Sequence, residues 1–260
     1  MRSYSNKITL LQNGRGVFSL DPSVGCTSGT KNSKHGCYNE CYAAKSAKIY
    51  GYDFTKTVYR DFDDESHIKS IVREIYRINM PFIRMGTSGD PSENWEHTIS
   101  IIRQLALINK PIVIITKHWN AMTEEQILEM SQFDIVFNSS VSALDDAEQL
   151  QSVLKSHSKI SKRFKSYLRV VTADFNTVSD TGLRLSLLQE KLLREANVID
   201  TVLRISKGNA LAKGGVINAK KSKFLGGNSL ISKHNKKTYM GKCGTCKELC
   251  GVGIAIENKT

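Results

Sequence analysis

The sequence predicts an α/β fold built from six parallel βα units, and three observations support this prediction. Short apolar runs alternate with longer amphipathic runs along residues 15–206. The run Ile112–Thr116 is continuously apolar, which is typical of a parallel strand buried on both faces. Polar residues follow each apolar run, as expected where the carboxyl ends of parallel strands form a ligand site. Apolar residues make up 40% of the 260 residues, which is enough for a sizeable core.

The elements follow from apolar spacing and from capping residues. The predicted strands cover residues 15–20, 82–86, 112–116, 134–138, 167–172 and 201–206. The predicted helices cover residues 43–50, 64–78, 92–108, 123–130, 145–157 and 180–196. After residue 206 the composition changes, and we expect a packed extension made mostly of loops, with a final strand at 252–256.

A loop after the first predicted strand contains three cysteines in the spacing C-x10-C-x3-C, at Cys26, Cys37 and Cys41. The surrounding residues are mostly polar or glycine and offer no core for the cysteines to join. Three thiolates folded inward can hold one metal centre and leave a coordination position open for chemistry. The alternative is three buried structural cysteines, since free cysteine is often buried. The clustering favours a metal or iron–sulfur centre.

Charge and hydropathy restrict the classes of partner. No apolar run reaches the about 18 residues that a membrane-spanning helix needs, and residues 1–8 lack the apolar core of a signal peptide. The sequence therefore predicts a cytoplasmic protein with no membrane partner. In that reducing compartment, clustered cysteines favour metal or redox chemistry over disulfides. The formal charge of +12 favours a polyanionic partner, with nucleic acid first and a merely solvated basic surface as the alternative.

Two motifs resemble those of the radical S-adenosylmethionine (SAM) enzymes. They are the cysteine loop, closed by Cys-Tyr-Ala at 41–43, and the Ser-Gly-Asp-Pro sequence at 88–91 after the second strand. The family usually has C-x3-C-x2-C followed by an aromatic residue, and Gly-Gly-Glu-Pro after its second strand. The motifs cover residues 15–95, and the strand count extends the resemblance to about residue 206. The resemblance implies a partial (βα)6 barrel of parallel strands over 1–206, followed by a basic, cysteine-containing extension over 207–260.

The resemblance also implies the cofactors. In that family three cysteines hold a [4Fe–4S] cluster, SAM binds the fourth iron, and one electron releases a 5′-deoxyadenosyl radical that abstracts hydrogen. Here Cys26, Cys37 and Cys41 would hold the cluster. An imidazole can also ligate such clusters, but a lone loop histidine is more often solvated, so His35 is not included among the predicted ligands. The electron would come from a donor such as flavodoxin or ferredoxin.

Further residues are assigned to SAM by the same resemblance. Asp90 would accept hydrogen bonds from the methionyl ammonium, a role compatible with an N-cap or turn position before Pro91. Tyr42 would lie against the adenine or serve as a core aromatic. The strand-end serines would contact the carboxylate or ribose, or only form a turn, and Lys117 and His118 after strand three could contact substrate or cofactor or line a wet pocket. The implied cofactor-binding residues are Tyr42, Ser88, Gly89, Asp90, Pro91, Ser139 and Ser140.

A second cysteine group lies near the C-terminus in the spacing C-x2-C-x3-C, at Cys243, Cys246 and Cys250. The C-x2-C step is a common half-site for zinc or for an iron–sulfur cluster. The group could hold an auxiliary cluster, hold a structural zinc with His234 or another residue as fourth ligand, or join the first cysteine loop. We predict a second metal centre here.

The segment before that group is strongly basic. Residues 207–242 contain nine lysines and no acidic residue, a composition suited to phosphate contacts. The predicted substrate-binding residues are Lys220, Lys221 and Lys223, and the substrate would be DNA, RNA or another anion. The second hypothesis is a non-catalytic nucleic-acid-binding protein with structural zinc at both cysteine groups. The Ser-Gly-Asp-Pro loop favours the enzyme because a zinc scaffold gives it no purpose.

Overall fold

The computed structural model describes residues 2–27, 41–222 and 229–253. Its centre is a nine-stranded, mostly parallel β-sheet. The strands of the chain are β1 (Leu11–Gln12), β2 (Phe18–Ser19), β3 (Ser23–Val24), β4 (Val58–Tyr59), β5 (Ile83–Met85), β6 (Ile112–Thr116), β7 (Ile135–Val141), β8 (Lys165–Thr172), β9 (Asp174–Phe175), β10 (Val198–Ser206), β11 (Ile217–Asn218), β12 (Lys220–Lys221) and β13 (Ser229–Ser232).

The order in the large sheet is β1-β2-β5-β6-β7-β8-β10-β13-β12. Each neighbouring pair from β2 to β10 is parallel, and these six strands are the six predicted from the sequence. They stand in the sheet in the order in which they occur along the chain. The carboxyl ends of the six strands therefore lie along one edge of the sheet, where the predicted site loops begin.

Helices connect the parallel strands. They are α1 (Tyr42–Ile49), α2 (Glu65–Arg77), α3 (Trp95–Gln104), α4 (Glu124–Met130), α5 (Ala147–Ile160) and α6 (Asp180–Leu193). The short α7 (Ala210–Lys213) follows the last parallel strand. Side-chain caps set several starting points: the Thr123 side chain caps α4 in a reciprocal capping box with Gln126, and Asp64 caps α2. None of the helices in the described ranges has the length and apolar composition needed to cross a bilayer.

The predicted helix at 92–108 is wrong in its start and in its continuity. Residues Pro91–Glu93 form a 3-10 turn, and Asn94 then adopts an extended conformation with φ −149° and ψ 95°. The Asn94 side chain accepts a hydrogen bond from the His97 amide at 3.0 Å, so it caps a separate helix that begins at Trp95. Trp95 is 4% exposed and belongs to the core.

The segment after residue 206 is more ordered than the prediction of loops. Strand β13 pairs antiparallel with β10, with Arg204 opposite Ile231, and β12 pairs with β13 at the sheet edge. The extension therefore continues the sheet. The predicted last strand at 252–256 begins as a turn at 252–253, and the rest of it lies outside the described residues.

The two faces of the sheet carry different partners, because successive strand side chains point to opposite faces. One face packs on the helices: Ile114, Phe137 and Leu168 from the strands join Ile75, Ile99 and Val153 from the helices in one core. The other face packs on the C-terminal segment. There Val113, Val136, Tyr167 and Ile199 form a second cluster with Cys243, and Leu249 and Cys250 pack against it.

Candidate functional site

The cysteine loop begins and ends in one small apolar cluster. Cys26, which is 8% exposed, packs with Ala47 and Phe54, and Cys41 packs against the same group. The Cys26 amide donates to the Phe54 carbonyl at 2.9 Å, which fixes the start of the loop. The structure therefore brings together two of the three predicted cluster cysteines. Cys37, His35 and the side chain of Tyr42 lie outside the described residues.

The cysteine loop is paired directly with the Ser-Gly-Asp-Pro loop. The Gly25 amide donates to the Ser88 carbonyl at 3.0 Å, and Gly25 and Gly89 form a parallel bridge. Both glycines are required by close approach: a Cβ on Gly25, at φ +89°, would lie 2.1 Å from the Lys56 carbonyl oxygen, and one on Gly89 would lie 2.6 Å from that of Ser23. The start of the cysteine loop and the Ser-Gly-Asp-Pro loop are thus joined directly through their backbones.

A buried aspartate, Asp21, binds the backbone at the start of the Ser-Gly-Asp-Pro loop. The Asp21 carboxylate accepts hydrogen bonds from the amides of Gly86, Thr87 and Ser88, each at 2.9 Å. Burial raises the pKa of Asp21, while the amide donors and Arg84 act in the opposite direction. We did not single out Asp21 from the sequence. The sequence feature that could have indicated a role for Asp21 is its position directly after the first predicted strand, which ends at Leu20.

A glutamate ties the cysteine loop to the same region. The Glu93 carboxylate accepts a hydrogen bond from the Thr27 amide at 2.9 Å and a second, very short one from the Thr57 hydroxyl. Thr27 is the residue after Cys26. Glu93 therefore fixes the position of the chain directly after Cys26. Pro91 is buried in the 3-10 turn that ends at Glu93.

Asp90 is engaged by the protein on both carboxylate oxygens. Oδ1 accepts from the Ser92 amide at 3.0 Å, from its hydroxyl at 2.8 Å and from the Thr116 hydroxyl at 2.6 Å. Oδ2 accepts from the amides of Lys117 and His118 at 2.8 and 2.9 Å. Asp90 is 6% exposed. These contacts join the loop after β5 to the loop after β6, and a contact to an ammonium stays a prediction.

The two serines at the end of β7 face opposite sides of the sheet. The Ser139 hydroxyl accepts from Trp119 Nε1 at 2.8 Å and lies 3.0 Å from His157 Nδ1, within the helix-facing core. These contacts account for Ser139 without a cofactor. Burial lowers the pKa of His157 to about 4, so its imidazole is neutral at this position. Ser140 points to the other face, and the predicted cofactor contacts of both serines stay predictions.

Two polar residues after β6 are also held by protein groups. Lys117 Nζ lies 2.7 Å from Oδ1 of Asp145, a carboxylate that is only 4% exposed. His118 Nδ1 lies 3.2 Å from the Gln149 side-chain amide. Both contacts fix the loop after β6 against the loop after β7 and the first turn of α5.

The C-terminal cysteines lie on the face of the sheet away from the helices. Asn138 Nδ2 donates to the Cys250 carbonyl at 2.9 Å, and the Cys243 amide donates to the Arg15 carbonyl at 2.8 Å. Burial raises the pKa of the Cys243 thiol, which is 7% exposed. All three cysteines line one open cavity of about 450 Å³, a volume that includes space open to solvent. Its remaining lining residues are Arg15, Arg84, Arg169, Ile199, Asp200, Thr201, Tyr239, Glu248 and Leu249.

No metal-binding arrangement is preformed in the described part of the chain. Within residues 2–27, 41–222 and 229–253, no three cysteine, histidine or acidic side chains stand close enough together to bind an ion. His234 lies 2.9 Å from Glu190 in an exposed ion pair, which gives its imidazole a partner other than a metal. The second metal centre stays a prediction, and Cys37 of the first group lies outside the described residues.

The predicted substrate lysines lie at the edge of the sheet. Lys220 and Lys221 form β12 and are both exposed. Lys223 lies outside the described residues. An exposed pair of cations on an edge strand is available to a polyanion, and lysines on edge strands also discourage unwanted strand pairing.

Comparison with known proteins identifies the class of fold. No profile of a known protein family and no curated protein is significantly similar to this sequence. A solved structure of spore photoproduct lyase, a double mutant with bound AdoMet and dinucleoside spore photoproduct, has a similar fold. The TM-score is 0.53, the match covers 90% of this chain and 73% of that chain, and sequence identity is 10%. The chain thus has a mixed α/β fold with a mostly parallel central sheet that it shares with that lyase.

Proposed function

We propose that this chain is a radical SAM enzyme with a partial (βα)6 barrel. The observation that carries the proposal is the backbone pairing of the cysteine loop with the Ser-Gly-Asp-Pro loop, through Gly25 and Ser88 at 3.0 Å. In an α/β sheet a ligand site is expected at the carboxyl ends of the parallel strands, where the described start of the cysteine loop and the Ser-Gly-Asp-Pro loop follow β2 and β5. The fold shared with spore photoproduct lyase, solved with AdoMet bound, supports the same proposal.

The residues present fit an iron–sulfur cluster in their donor chemistry. Thiolates are the usual ligands of such clusters, and Cys26 and Cys41 come together in one small cluster of side chains. We propose Cys37 as the third ligand. When bound, the cluster and SAM supply a 5′-deoxyadenosyl radical, and the electron comes from a donor such as flavodoxin or ferredoxin.

Residues of this chain position the two loops that would bind SAM. Asp21 and Glu93 hold the two loops in register through backbone amides. We propose that the 88–91 loop binds the methionyl part of SAM. The Asp90 carboxylate already accepts hydrogen bonds from four residues, which are Ser92, Thr116, Lys117 and His118. Its main contribution is therefore to fix the conformation of the 88–91 loop.

We propose a nucleic acid as the substrate. The support is the formal charge of +12, the exposed lysines of β12, and the dinucleoside lesion bound to spore photoproduct lyase. Lysines attract the phosphate backbone without reading its sequence. Lys220, Lys221 and Lys223 would hold the strand while one nucleotide is presented to the radical.

We also propose a metal at the C-terminal cysteines. The support is that Cys243, Cys246 and Cys250 line one cavity and that thiolates are common ligands of zinc and of iron–sulfur clusters. Metal analysis separates the two forms: about four extra irons per chain indicate a cubane cluster, and one zinc indicates a structural site. Three thiols that titrate in the native protein, with neither metal, would reject both.

The proposed enzyme activity is tested by cleavage of SAM. The anaerobically reconstituted, reduced protein should convert SAM into 5′-deoxyadenosine and methionine, detected by mass spectrometry. Cys41→Ala should abolish the product, while Ser46→Ala, an exposed change in helix α1 directly after Cys41, should not. A colourless protein that contains zinc and cleaves no SAM would favour the non-catalytic alternative.

A further inference from the structure

The cavity at the C-terminal cysteines is lined by three arginines that come from separate parts of the chain. Arg84 lies in β5, Arg169 lies in β8, and Arg15 lies in the turn between β1 and β2. Arg84 is 9% exposed, and the other two are half-buried. Guanidinium groups remain charged in proteins, so they concentrate positive charge in a partly desolvated space.

The protein compensates these charges only in part, since the buried Asp21 carboxylate interacts electrostatically with Arg84. None of the ion pairs formed within the described residues includes Arg15, Arg84 or Arg169. The Nε atoms of Arg15 and Arg84 donate to the Gly241 carbonyl and to the Thr87 hydroxyl at 3.0 and 3.2 Å. Their terminal amino groups donate to no described residue, and they are not among the fully enclosed polar atoms without a partner. The donors of Arg15 and Arg84 therefore remain accessible, whereas Arg169 already donates to the Thr201 hydroxyl at 3.3 Å and to Cys250 Sγ at 4.0 Å.

Two carboxylates, Asp200 and Glu248, also line the cavity, so its three cations exceed its two acidic groups by one. Both oxygens of Asp200 accept from hydroxyl groups, Oδ1 from Thr172 at 2.6 Å and Oδ2 from Thr238 in a very short contact. The cavity thus holds an excess of positive charge and of hydrogen-bond donors.

We propose that this cavity is a binding site for a phosphate group. A guanidinium fork matches two phosphate oxygens in a bidentate, charge-assisted contact. A tetrahedral phosphate presents oxygens in several directions, so it can meet arginines from three separate elements, whereas a planar carboxylate offers two oxygens. The half-buried Tyr239 lines the same cavity, and its ring, 5.9 Å from the Arg15 guanidinium carbon, could stack on an attached base.

The phosphate has two chemically equivalent sources. It can be a phosphodiester of a nucleic acid, or it can be a free phosphate or phosphate monoester. Neither source requires SAM or the cluster proposed at the first cysteine loop, so this proposal goes beyond the radical chemistry and can fail or succeed independently of it. The phosphate would occupy the cavity that the C-terminal cysteines also line, and the proposal describes that cavity without a metal.

Calorimetry on the full chain, purified anaerobically in a phosphate-free chloride buffer, tests the proposal. The probes are inorganic phosphate, the dinucleoside monophosphate TpT, thymidine as a control without phosphate, and succinate as a dicarboxylate. Saturable binding of phosphate or TpT is expected, with none for thymidine. Stronger binding of TpT identifies the nucleic acid as source, and binding of inorganic phosphate alone identifies the free anion.

Variants connect this binding to the cavity. Arg169→Gln should weaken binding of the phosphate-bearing probe about tenfold or more, because it removes a charge-assisted contact. Arg15→Gln provides the same test nearer the surface if Arg169→Gln fails to fold by circular dichroism. Arg184→Gln removes the same charge from the exposed face of α6 and should leave affinity within about twofold. No saturable binding, stronger binding of succinate than of phosphate, or unchanged affinity in a folded cavity variant would overturn the proposal.

Discussion

The Asp21 carboxylate accepts a hydrogen bond from the Ser88 amide at 2.9 Å, across 67 residues of sequence. Asp21 lies just before the cysteine loop, and Ser88 opens the Ser-Gly-Asp-Pro loop. The Gly25 amide also donates to the Ser88 carbonyl at 3.0 Å, so both the amide and the carbonyl of Ser88 are bonded to the chain around the first cysteine. The relative position of the proposed cluster and the proposed SAM loop therefore depends on Asp21.

Asp21→Asn should loosen this arrangement without changing its volume. Three amides lose a charged acceptor, and the new NH2 group faces donors, so we expect the free energy of unfolding to fall by about 2–4 kcal/mol. The affinity for SAM should fall as well, because the loop loses its support. Urea unfolding and calorimetry with SAM measure the two effects. Asp134→Asn, on an exposed residue before β7, is the matched control. Wild-type affinity for SAM in Asp21→Asn would show that Asp21 does not position the site.

Asp90→Asn should act mainly on stability. One Asp90 oxygen accepts from the Thr116 hydroxyl and the other from the Lys117 amide. In the Asn variant, the buried NH2 group would face one of these donors and lack an acceptor. We expect a loss of about 2–4 kcal/mol in urea unfolding. If stability is unchanged and only SAM binding is weakened, Asp90 acts on the cofactor and our structural interpretation of it is wrong.

The stability of the fold should fall in mild acid because of His157. Burial lowers its pKa to about 4 from 6.5, so the folded protein keeps the imidazole neutral where the unfolded chain already binds a proton. Its contribution is complete above pH 6.5 and is lost as the pH falls from 6.5 toward 4. The loss should reach at most about 3 kcal/mol.

Urea unfolding at a series of pH values checks this expectation. His157→Gln should flatten the pH dependence in that window, whereas His234→Gln, on an exposed histidine, should leave most of it. An equal slope in wild type and His157→Gln would assign the pH dependence to other groups.

Nucleic-acid binding should depend on salt through the lysines near β12. Each phosphate contact releases counterions, so changing Lys220, Lys221 and Lys223 together to Gln should reduce the salt slope by about three units at most. Filter binding of DNA and RNA at two salt concentrations measures it. A triple change of Lys155, Lys162 and Lys191 to Gln, on exposed positions elsewhere, is the matched control. No binding at low salt would remove nucleic acid from the proposal.

The main sheet was predictable because its signal is local. The continuous apolar run of β6 and the capping residue Thr123 each depend on a few neighbouring residues. The break at Asn94 was missed because Ser92 is also a good cap, and only the extended backbone at Asn94 decides between them. Strand β13 was missed because it is only four residues long, with just Leu230 and Ile231 as apolar residues between two serines.

The candidate site was predictable only in its motifs. Cys26 and Cys41 attracted attention through their clustering, and the structure places them in one apolar group. The role of Asp21 depends on amides 65 to 67 residues away, and a lone aspartate in sequence does not reveal such contacts. The cavity arginines were missed for the same reason, since Arg15, Arg84 and Arg169 meet only after folding.

The central claim is that Cys26, Cys37 and Cys41 hold a SAM-binding iron–sulfur cluster. The most direct measurement is iron content together with electron paramagnetic resonance of the reduced protein, with and without SAM. Changing all three cysteines to Ala should remove about four irons per chain, together with the SAM-dependent change in the spectrum. The triple Ala variant of Cys243, Cys246 and Cys250 should keep that signal. Full iron content and full SAM cleavage in the Cys26, Cys37 and Cys41 variant would contradict the account.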